Sequence, residues 1–272
     1  MNLLQELEII KQNEYQLAEY QDLMSLTNSI LDHLGSADSY LRDDLGYLTL
    51  SNWIYQKDLF SAEQLGEILS RVVSDEMWFY KIGETGTDSV FLRSFSSLVI
   101  ALLLLRDNKN PFITPDEFRM ILSRMVDYCQ QERDLRGFVA HGGWAHAAAH
   151  VADAVDECVK HRYATAADCE QLWGALQALI RHAKAVYEAE EDERINNALF
   201  AMIETGKVSL EQVCAWLEAE EYEGSDYNES FTLRINWKHL IRSLYFRLKD
   251  NNLLGDSEES LLVIQRRFAP PY

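Results

Sequence analysis

The stretch TPDEFRMILSRMVDYCQQ (residues 114–131), followed after a polar loop by WAHAAAHVADAVDECVKH (residues 144–161), decides the fold. Apolar residues recur in both at every third or fourth position, which is the period of an amphipathic helix. Thr114 can cap the first helix, because a threonine hydroxyl accepts a hydrogen bond from the backbone three residues on, and Pro115 suits the first helical position. The stretch therefore predicts a pair of helices.

The same helix-start signal recurs along the chain. A capping residue precedes Gln, Glu or Asp by three positions at Ser61, Thr114, Thr165, Ser209 and Asp256. The separations are 53, 51, 44 and 47 residues, and each interval has room for two helices. A period near 50 residues predicts an all-α fold of stacked helical hairpins, either a HEAT-like α/α solenoid or an α/α toroid. The alternative is that a large all-helical protein carries caps at this spacing by chance.

Each capped helix has an expected partner. The predicted pairs are 61–73 with 88–105, 114–131 with 144–161, 165–187 with 192–203, and 209–218 with 231–248. Only 12 Gly and 4 Pro occur in 272 residues, which disfavours a strand-rich fold with many tight turns. We therefore expect one helical-repeat domain over residues 1–272.

Net charge, apolar runs and cysteine spacing indicate the cellular location of the protein and the classes of partner that it can bind. With 25 Lys and Arg against 44 Asp and Glu, the net charge of −19 repels nucleic acid and anionic membrane surfaces. The longest apolar run, residues 98–105, is too short to cross a bilayer and predicts a buried helix segment. The four cysteines form no CxxC pair, and the N-terminus resembles an amphipathic helix rather than a signal peptide. We expect a cytoplasmic protein with neither nucleic acid nor membrane as its partner.

Polar residues form a stripe on the predicted helix 144–161. At 100° per residue, His146, His150 and Asp153 share one narrow face. The opposite, packing face holds Trp144, Val151, Val155 and Val159. Two histidines at i and i+4 with an aspartate at i+7 can bind a divalent metal such as zinc, or can act as general acid and base. An unoccupied polar pocket and plain surface are the alternatives.

Two further clusters lie near the starts of predicted second helices. In GETGTDSVFLRSFSSL (residues 83–98), Thr87 or Asp88 can cap the helix, and Arg93 either binds an anionic group or pairs with Asp88 or Glu84. In EEDERINNALF (residues 190–200), an aspartate cap is followed by a first-turn arginine. Stacked repeats would bring these clusters together in one polar pocket on a concave face. The candidate ligand-binding residues are Thr87, Asp88, Arg93, His141, Trp144, Asp192 and Arg194.

Three segments in order, residues 83–98, ERDLRGFVAHGGWAHAAAHVADAVDE (132–157) and EEDERINNAL (190–199), resemble an uncharacterised bacterial domain-of-unknown-function family, numbered 2785. The resemblance implies a cytoplasmic bacterial helical-repeat protein and no particular activity. Gly142 stands where the family pattern has Lys, which removes a basic group. The Gly-Trp-x-His element is also similar to part of the lanthionine-cyclase-like α/α toroids, but Ala145 replaces the Cys that ligates zinc there. That departure argues against the same zinc site and activity.

Two classes of function remain. The first is a ligand- or partner-binding protein whose concave pocket takes a small molecule or a peptide segment, with the negative charge favouring a cationic guest. The second is a metal-assisted or general acid–base enzyme, of hydrolase or lyase type, with His146, His150 and Asp153 as catalytic residues. No nucleophile beside a base is visible in the sequence, so we favour the first class.

Overall fold

The computed structural model describes residues 2–19 and 21–269, which are mostly helical. The first helices of the four pairs are α4 (Ala62–Val72), α6 (Pro115–Gln131), α8 (Ala166–His182) and α10 (Leu210–Glu218). The second helices are α5 (Ser89–Lys109), α7 (Ala147–Lys160), α9 (Glu191–Glu204) and α11 (Tyr227–Asp250). The all-α prediction is confirmed for the described residues, apart from one small antiparallel pair of strands, β1 (Phe138–Val139) and β2 (Gly143–Trp144).

Further helices flank the four pairs. The N-terminal elements are α1 (Leu3–Gln12), α2 (Leu23–Asp32), a π-helical segment (Tyr40–Tyr47), α3 (Leu48–Ser51) and a second π-helical segment (Asn52–Gln56). A 3₁₀ turn (Gly255–Ser257) leads into α12 (Glu258–Arg267) at the other end. The predicted N-terminal amphipathic helix is confirmed by α1, whose start is capped by the Asn2 side chain.

Four of the five predicted caps are confirmed. Ser61, Thr114 and Thr165 each form a reciprocal capping box with the residue three positions on, and Ser209 accepts a hydrogen bond from the Gln212 backbone. Such a cap stabilises a helix by about 1 kcal/mol. The prediction at Asp256 is wrong, because that residue lies inside the 3₁₀ turn that precedes α12.

The second helices of successive pairs pack side by side. Helix α5 packs on α7, α7 on α9 and α9 on α11, while α6 packs on α8. The hydrophobic core extends through these helices from Leu7 to Phe268. Because α5, α7 and α9 are neighbours, the loops that precede them lie close together.

Helix α5 is long, apolar and mostly buried. By length and composition alone it could cross a membrane, but 83% of its most apolar 18-residue window is buried inside the protein, as in a soluble core helix. The second π-helical segment packs against it. Arg42, from the first π-helical segment, places its guanidinium 4.1 Å from the ring centre of Phe91 and 4.6 Å from that of Phe95. The N-terminal segments therefore cover part of α5.

Several boundaries differ from the predicted ones. Helix α7 begins at Ala147 rather than at residue 144, because His146 has a left-handed backbone with φ 53°. Helix α8 ends at His182, before the predicted end at residue 187, and α11 begins at Tyr227 because Asp226 caps it. The segment before α7 forms the β1–β2 hairpin, in which Gly143 has φ 74°.

Candidate functional site

The starts of α5 and α7 meet through two polar contacts. The carboxylate Oδ1 of Asp88 lies 2.8 Å from Nε2 of His141, at the tip of the β1–β2 hairpin. On the same loop, Nη2 of Arg136 donates a hydrogen bond of 2.8 Å to the carbonyl of Thr87. We call the loops 84–88, 132–146 and 183–190, together with the first turns of the helices that follow them, the helix-start face.

The start of α9 joins the same face. The ring Nε2 of His146 donates to the carbonyl of Ala189 at 2.7 Å and lies 3.5 Å from Oε1 of Glu191. One turn further on, Nη1 of Arg194 contacts both carboxylate oxygens of Asp153, at 2.8 and 2.6 Å. Asp153, in the second turn of α7, reaches this face through Arg194. Seven of the other predicted site residues lie in the face itself, and they are Thr87, Asp88, His141, Trp144, His146, Asp192 and Arg194.

His150 is the buried member of the predicted stripe. The hydroxyl of Ser94 donates to the carbonyl of Ala145, so the hydrogen bond of 2.8 Å between Ser94 and Nδ1 of His150 must be donated by the imidazole. Burial, with the neighbouring His146 adding to it, lowers the pKa of His150 to about 3. His150 is therefore neutral at pH 7, and in this arrangement it cannot take a proton from Ser94.

Asp153 lies in a partly desolvated position. Burial raises the pKa of Asp153, and the hydrogen bonds from Arg194 oppose that shift. Burial also raises the pKa of the nearby Tyr47 hydroxyl, with the Asp153 carboxylate adding to the effect. Asp153 and Arg194 thus form an ion pair in which each charge is neutralised by the other.

The predicted metal ligands do not come together as a ligand set. Within residues 2–19 and 21–269 no group of three or more His, Cys, Asp or Glu side chains is arranged to hold a metal ion. Both oxygens of Asp153 contact Arg194, and His146 uses Nε2 to reach the α9 loop. The rings of His146 and His150 remain neighbours, with centres 5.5 Å apart. The physical reason for the missing ligand set is that α7 begins after His146, so that His146 directs Nε2 to the loop before α9 while Asp153 pairs with Arg194.

Two other site predictions need correction. Arg93 is fully buried and is bound through Nε and Nη2 to the carboxylate of Glu132, at 2.7 and 2.9 Å, so it does not face a ligand. Neither predicted partner, Asp88 or Glu84, supplies that carboxylate. Asp192 is not the cap of α9, because Glu190 occupies that position with φ 64°.

Two aromatic rings project from the β1–β2 hairpin. Phe138 is 63% exposed and Trp144 is 40% exposed, and their ring centres lie 5.1 Å apart in an edge-to-face arrangement. Trp144 also stacks on His146, with ring centres 4.7 Å apart. Trp144 therefore does not belong to the packing face that the helical pattern predicted, because it lies on a strand and not on α7.

The hairpin lies against the acidic loop before α9. A Cβ on Gly137, the residue before Phe138, would be 3.3 Å from the Cβ of Ala189, which stands between the exposed Glu188 and Glu190. The buried Glu191 accepts a hydrogen bond from the Ala189 backbone and fixes this loop. Aromatic rings and carboxylates are therefore neighbours on the helix-start face.

Gly142 has a steric reason to be glycine. A Cβ at this position would overlap the buried ring of Phe91, lying only 2.7 Å from Cε2. The lysine of the family pattern could not occupy this position unless Phe91 moved. Arg42 fills part of the space instead, donating a hydrogen bond of 2.6 Å to the Gly142 carbonyl.

Two clefts open beside the loop 84–88. A cleft of about 600 Å³ lies on the side of Thr87 and Asp88 and also includes Asp32, His33, Tyr80, Lys81 and Glu84. A second cleft of about 310 Å³ lies on the side of Thr85 and Gly86. Sequence reasoning missed Arg42, Glu132, Phe138 and the second cleft. Only the alternation of Gly with Phe and Trp in residues 137–144 could have indicated the aromatic hairpin.

Comparison with known proteins gives a family and no activity. The model of a family described as "Protein of unknown function (DUF2785)" matches residues 78–246. The chain belongs to the DUF2785 family. The match covers α5 to most of α11 and so includes the whole helix-start face. Neither the search of curated proteins nor the search of solved structures finds a match for this DUF2785 protein.

Proposed function

We propose that this DUF2785 protein is a binding protein that recognises a cation-bearing ligand, either a small molecule or a peptide segment, on its helix-start face. The observation that carries the proposal is the exposed pair Phe138 and Trp144 on the hairpin that packs against the loop before α9, where Glu188 and Glu190 are exposed. Exposed aromatic rings are unfavourable in water and are enriched where proteins bind partners.

The neighbouring charges favour a positive guest. A cation above a tryptophan ring is attracted by its π electrons, and nearby carboxylates add to the attraction. Trp144 stacks on His146 and contacts Phe138, yet 40% of its surface is exposed and available for such a contact. The adjoining cleft of about 600 Å³ carries Asp32, Glu84 and Asp88. The net charge of −19 steers cations to the molecule as a whole.

A rigid site loses less entropy on binding than a mobile one. The hairpin is held by contacts on two sides: His141 reaches Asp88, and His146 reaches the Ala189 carbonyl. This bracing supports a preformed surface. By contrast, the described contacts of His146, His150 and Asp153 give no specific support to the acid–base enzyme, because each group is engaged within the protein.

The proposal includes the helical-repeat architecture and the cellular location of the protein. The side-by-side packing of α5, α7, α9 and α11 supports a helical-repeat array of the α/α solenoid or toroid type in one domain. The buried cysteines and the negative charge support a cytoplasmic location without nucleic acid or membrane as partner.

The test uses a tetra-arginine peptide amide at physiological ionic strength and measures its affinity by isothermal titration calorimetry. The double variant Phe138→Leu with Trp144→Leu leaves the net charge unchanged and is expected to weaken binding at least tenfold. The matched control, Tyr227→Leu with Phe246→Leu, removes two exposed aromatic rings elsewhere and should leave the affinity within twofold. Equal affinity for wild type and the hairpin variant would show attraction by net charge alone and would refute the proposal.

A further inference from the structure

The second cleft lies within the helix-start face, away from the aromatic rings of the hairpin, and is mainly positively charged. Its volume is about 310 Å³, and it lies between the loops that precede α5, α7 and α9. The lining residues are Thr85, Gly86, Arg133, Asp134, Leu135, Arg136, Ala183, Lys184 and Ala185. Three of these residues carry a positive charge and one a negative charge, in a chain whose net charge is −19.

One of the three cations is neutralised within the protein. Arg136 binds Asp134 through Nε and Nη2, both at 2.7 Å, and the buried Asp134 also accepts a hydrogen bond of 2.9 Å from the Gly86 backbone. Through Asp134, this ion pair connects loop 84–88 to residues 132–137 and holds one side of the cleft in place. The remaining charge of the lining comes from Arg133 and Lys184, which are both positive.

Arg133 is oriented by contacts at one end of its guanidinium. Its Nη1 donates to the carbonyls of Gln130 and Glu132 at 2.8 and 2.9 Å, and to Nδ1 of His182 at 2.9 Å. In the described part of the chain all its side-chain hydrogen bonds use Nη1, so the N–H groups of Nε and Nη2 remain able to donate. His182 accepts this bond only when neutral, and burial, together with Arg133, lowers its pKa.

Lys184 supplies the second cation. Its ammonium makes a surface contact of 3.3 Å with Glu229, and its side chain is largely exposed. Such a contact is worth little in water, so the ammonium can turn toward a ligand at small cost. Leu135, Ala183 and Ala185 give the same cleft an apolar part.

We propose that this cleft binds an anionic group, a phosphate or a carboxylate, of a small ligand. Arg133 donates through Nε and Nη2, and Lys184 neutralises the remaining charge. Guanidinium and ammonium groups are the usual partners of both anions. The anion site is separate from the aromatic hairpin, so it neither needs nor excludes the cation-binding function.

The charge of the molecule makes the test sensitive. The overall potential repels anions, so saturable anion binding requires a local site. The full-length protein is titrated by calorimetry at low ionic strength with three probes, inorganic phosphate, pyrophosphate and pentanoate. We expect saturable binding of at least one. Preference for the phosphates identifies a phosphate ligand, and preference for pentanoate identifies a carboxylate on an apolar chain.

Variants decide whether the binding is local. Arg133→Gln with Lys184→Gln is expected to weaken binding at least tenfold. The control Lys249→Gln with Arg266→Gln also removes two positive charges from surface ion pairs and should change the affinity less than twofold. The inference is wrong if none of the probes binds saturably, if the cleft variant binds as wild type does, or if both variants lose affinity equally.

Discussion

The guanidinium of Arg93 and the carboxylate of Glu132 form a fully buried, two-point ion pair, with Nε to Oε2 at 2.7 Å and Nη2 to Oε1 at 2.9 Å. The pair joins α5 to the end of α6. Glu132 also accepts hydrogen bonds from the backbones of Arg133 and Asp134 and so fixes the start of the loop that carries the second cleft.

Breaking this pair should cost much stability. Glu132→Gln leaves the Arg93 charge buried without its counter-ion, and we expect the free energy of unfolding to fall by about 3–5 kcal/mol. Urea denaturation at pH 7 measures the change. The control is Asp75→Asn, which breaks an exposed ion pair with Arg124 and should cost less than about 1 kcal/mol. Equal losses in the two variants would contradict a structural role for the buried pair.

His150 should make stability depend on pH. Its pKa is about 3 in the folded protein and about 6.5 in the unfolded chain, so between these values only the unfolded state binds the proton. The stability that the neutral ring provides is present above pH 6.5 and is lost as the pH falls toward 3. From pH 7 to pH 5 this group should cost about 2 kcal/mol.

We compare wild type and His150→Asn by urea denaturation at pH 7 and at pH 5. Asparagine is chosen because its amide can still donate a hydrogen bond to Ser94, so the variant removes the titrating group and keeps the contact. The variant should lose about 2 kcal/mol less than wild type over this interval. The exposed His33→Asn should show the wild-type pH dependence. The same pH dependence in wild type and His150→Asn would mean that folding does not lower the pKa of His150.

Gly142 and Gly66 should respond oppositely to alanine. At Gly142 the added methyl group meets Phe91, and overpacking should lower the free energy of unfolding by about 1–3 kcal/mol. At Gly66, inside α4, nothing lies within 4 Å of the new Cβ, so alanine should stabilise by about 0.5–1 kcal/mol. Thermal and urea denaturation measure both changes. Phe91→Leu should recover part of the loss at Gly142, and a neutral Gly142→Ala would be inconsistent with the packing described.

The fold was largely predictable because its signals are local. Ser61, Thr114 and Thr165 cap helices through residues three positions away, and the apolar period identifies the buried faces without knowledge of the neighbours. The break before α7 was not predictable from that pattern. His146, with its left-handed backbone, contacts the carbonyl of Ala189, 43 residues away, and the helical period of α7 carries no information about that contact.

The candidate site was predictable in position and less so in chemistry. The spacing of the repeats brings the helix starts that carry Asp88, His146 and Arg194 to one face, but it does not tell which charges neutralise each other. Arg93 pairs with Glu132, 39 residues away, rather than with the nearby Asp88 or Glu84. The second cleft was missed for the same reason, since Arg133 and Lys184 line one cleft only because α6 packs on α8 and so brings the ends of these two helices together.

The most direct test of cation recognition at the helix-start face is nitrogen-15 NMR of the six tryptophan indoles during titration with the tetra-arginine peptide. Trp144→Phe identifies the Trp144 signal by its disappearance. We expect the chemical shift of the Trp144 indole to change until the peptide saturates its site, while the signals of the buried Trp53, Trp173 and Trp237 do not move. An unmoved Trp144 signal at peptide concentrations that saturate binding would contradict cation recognition at this face.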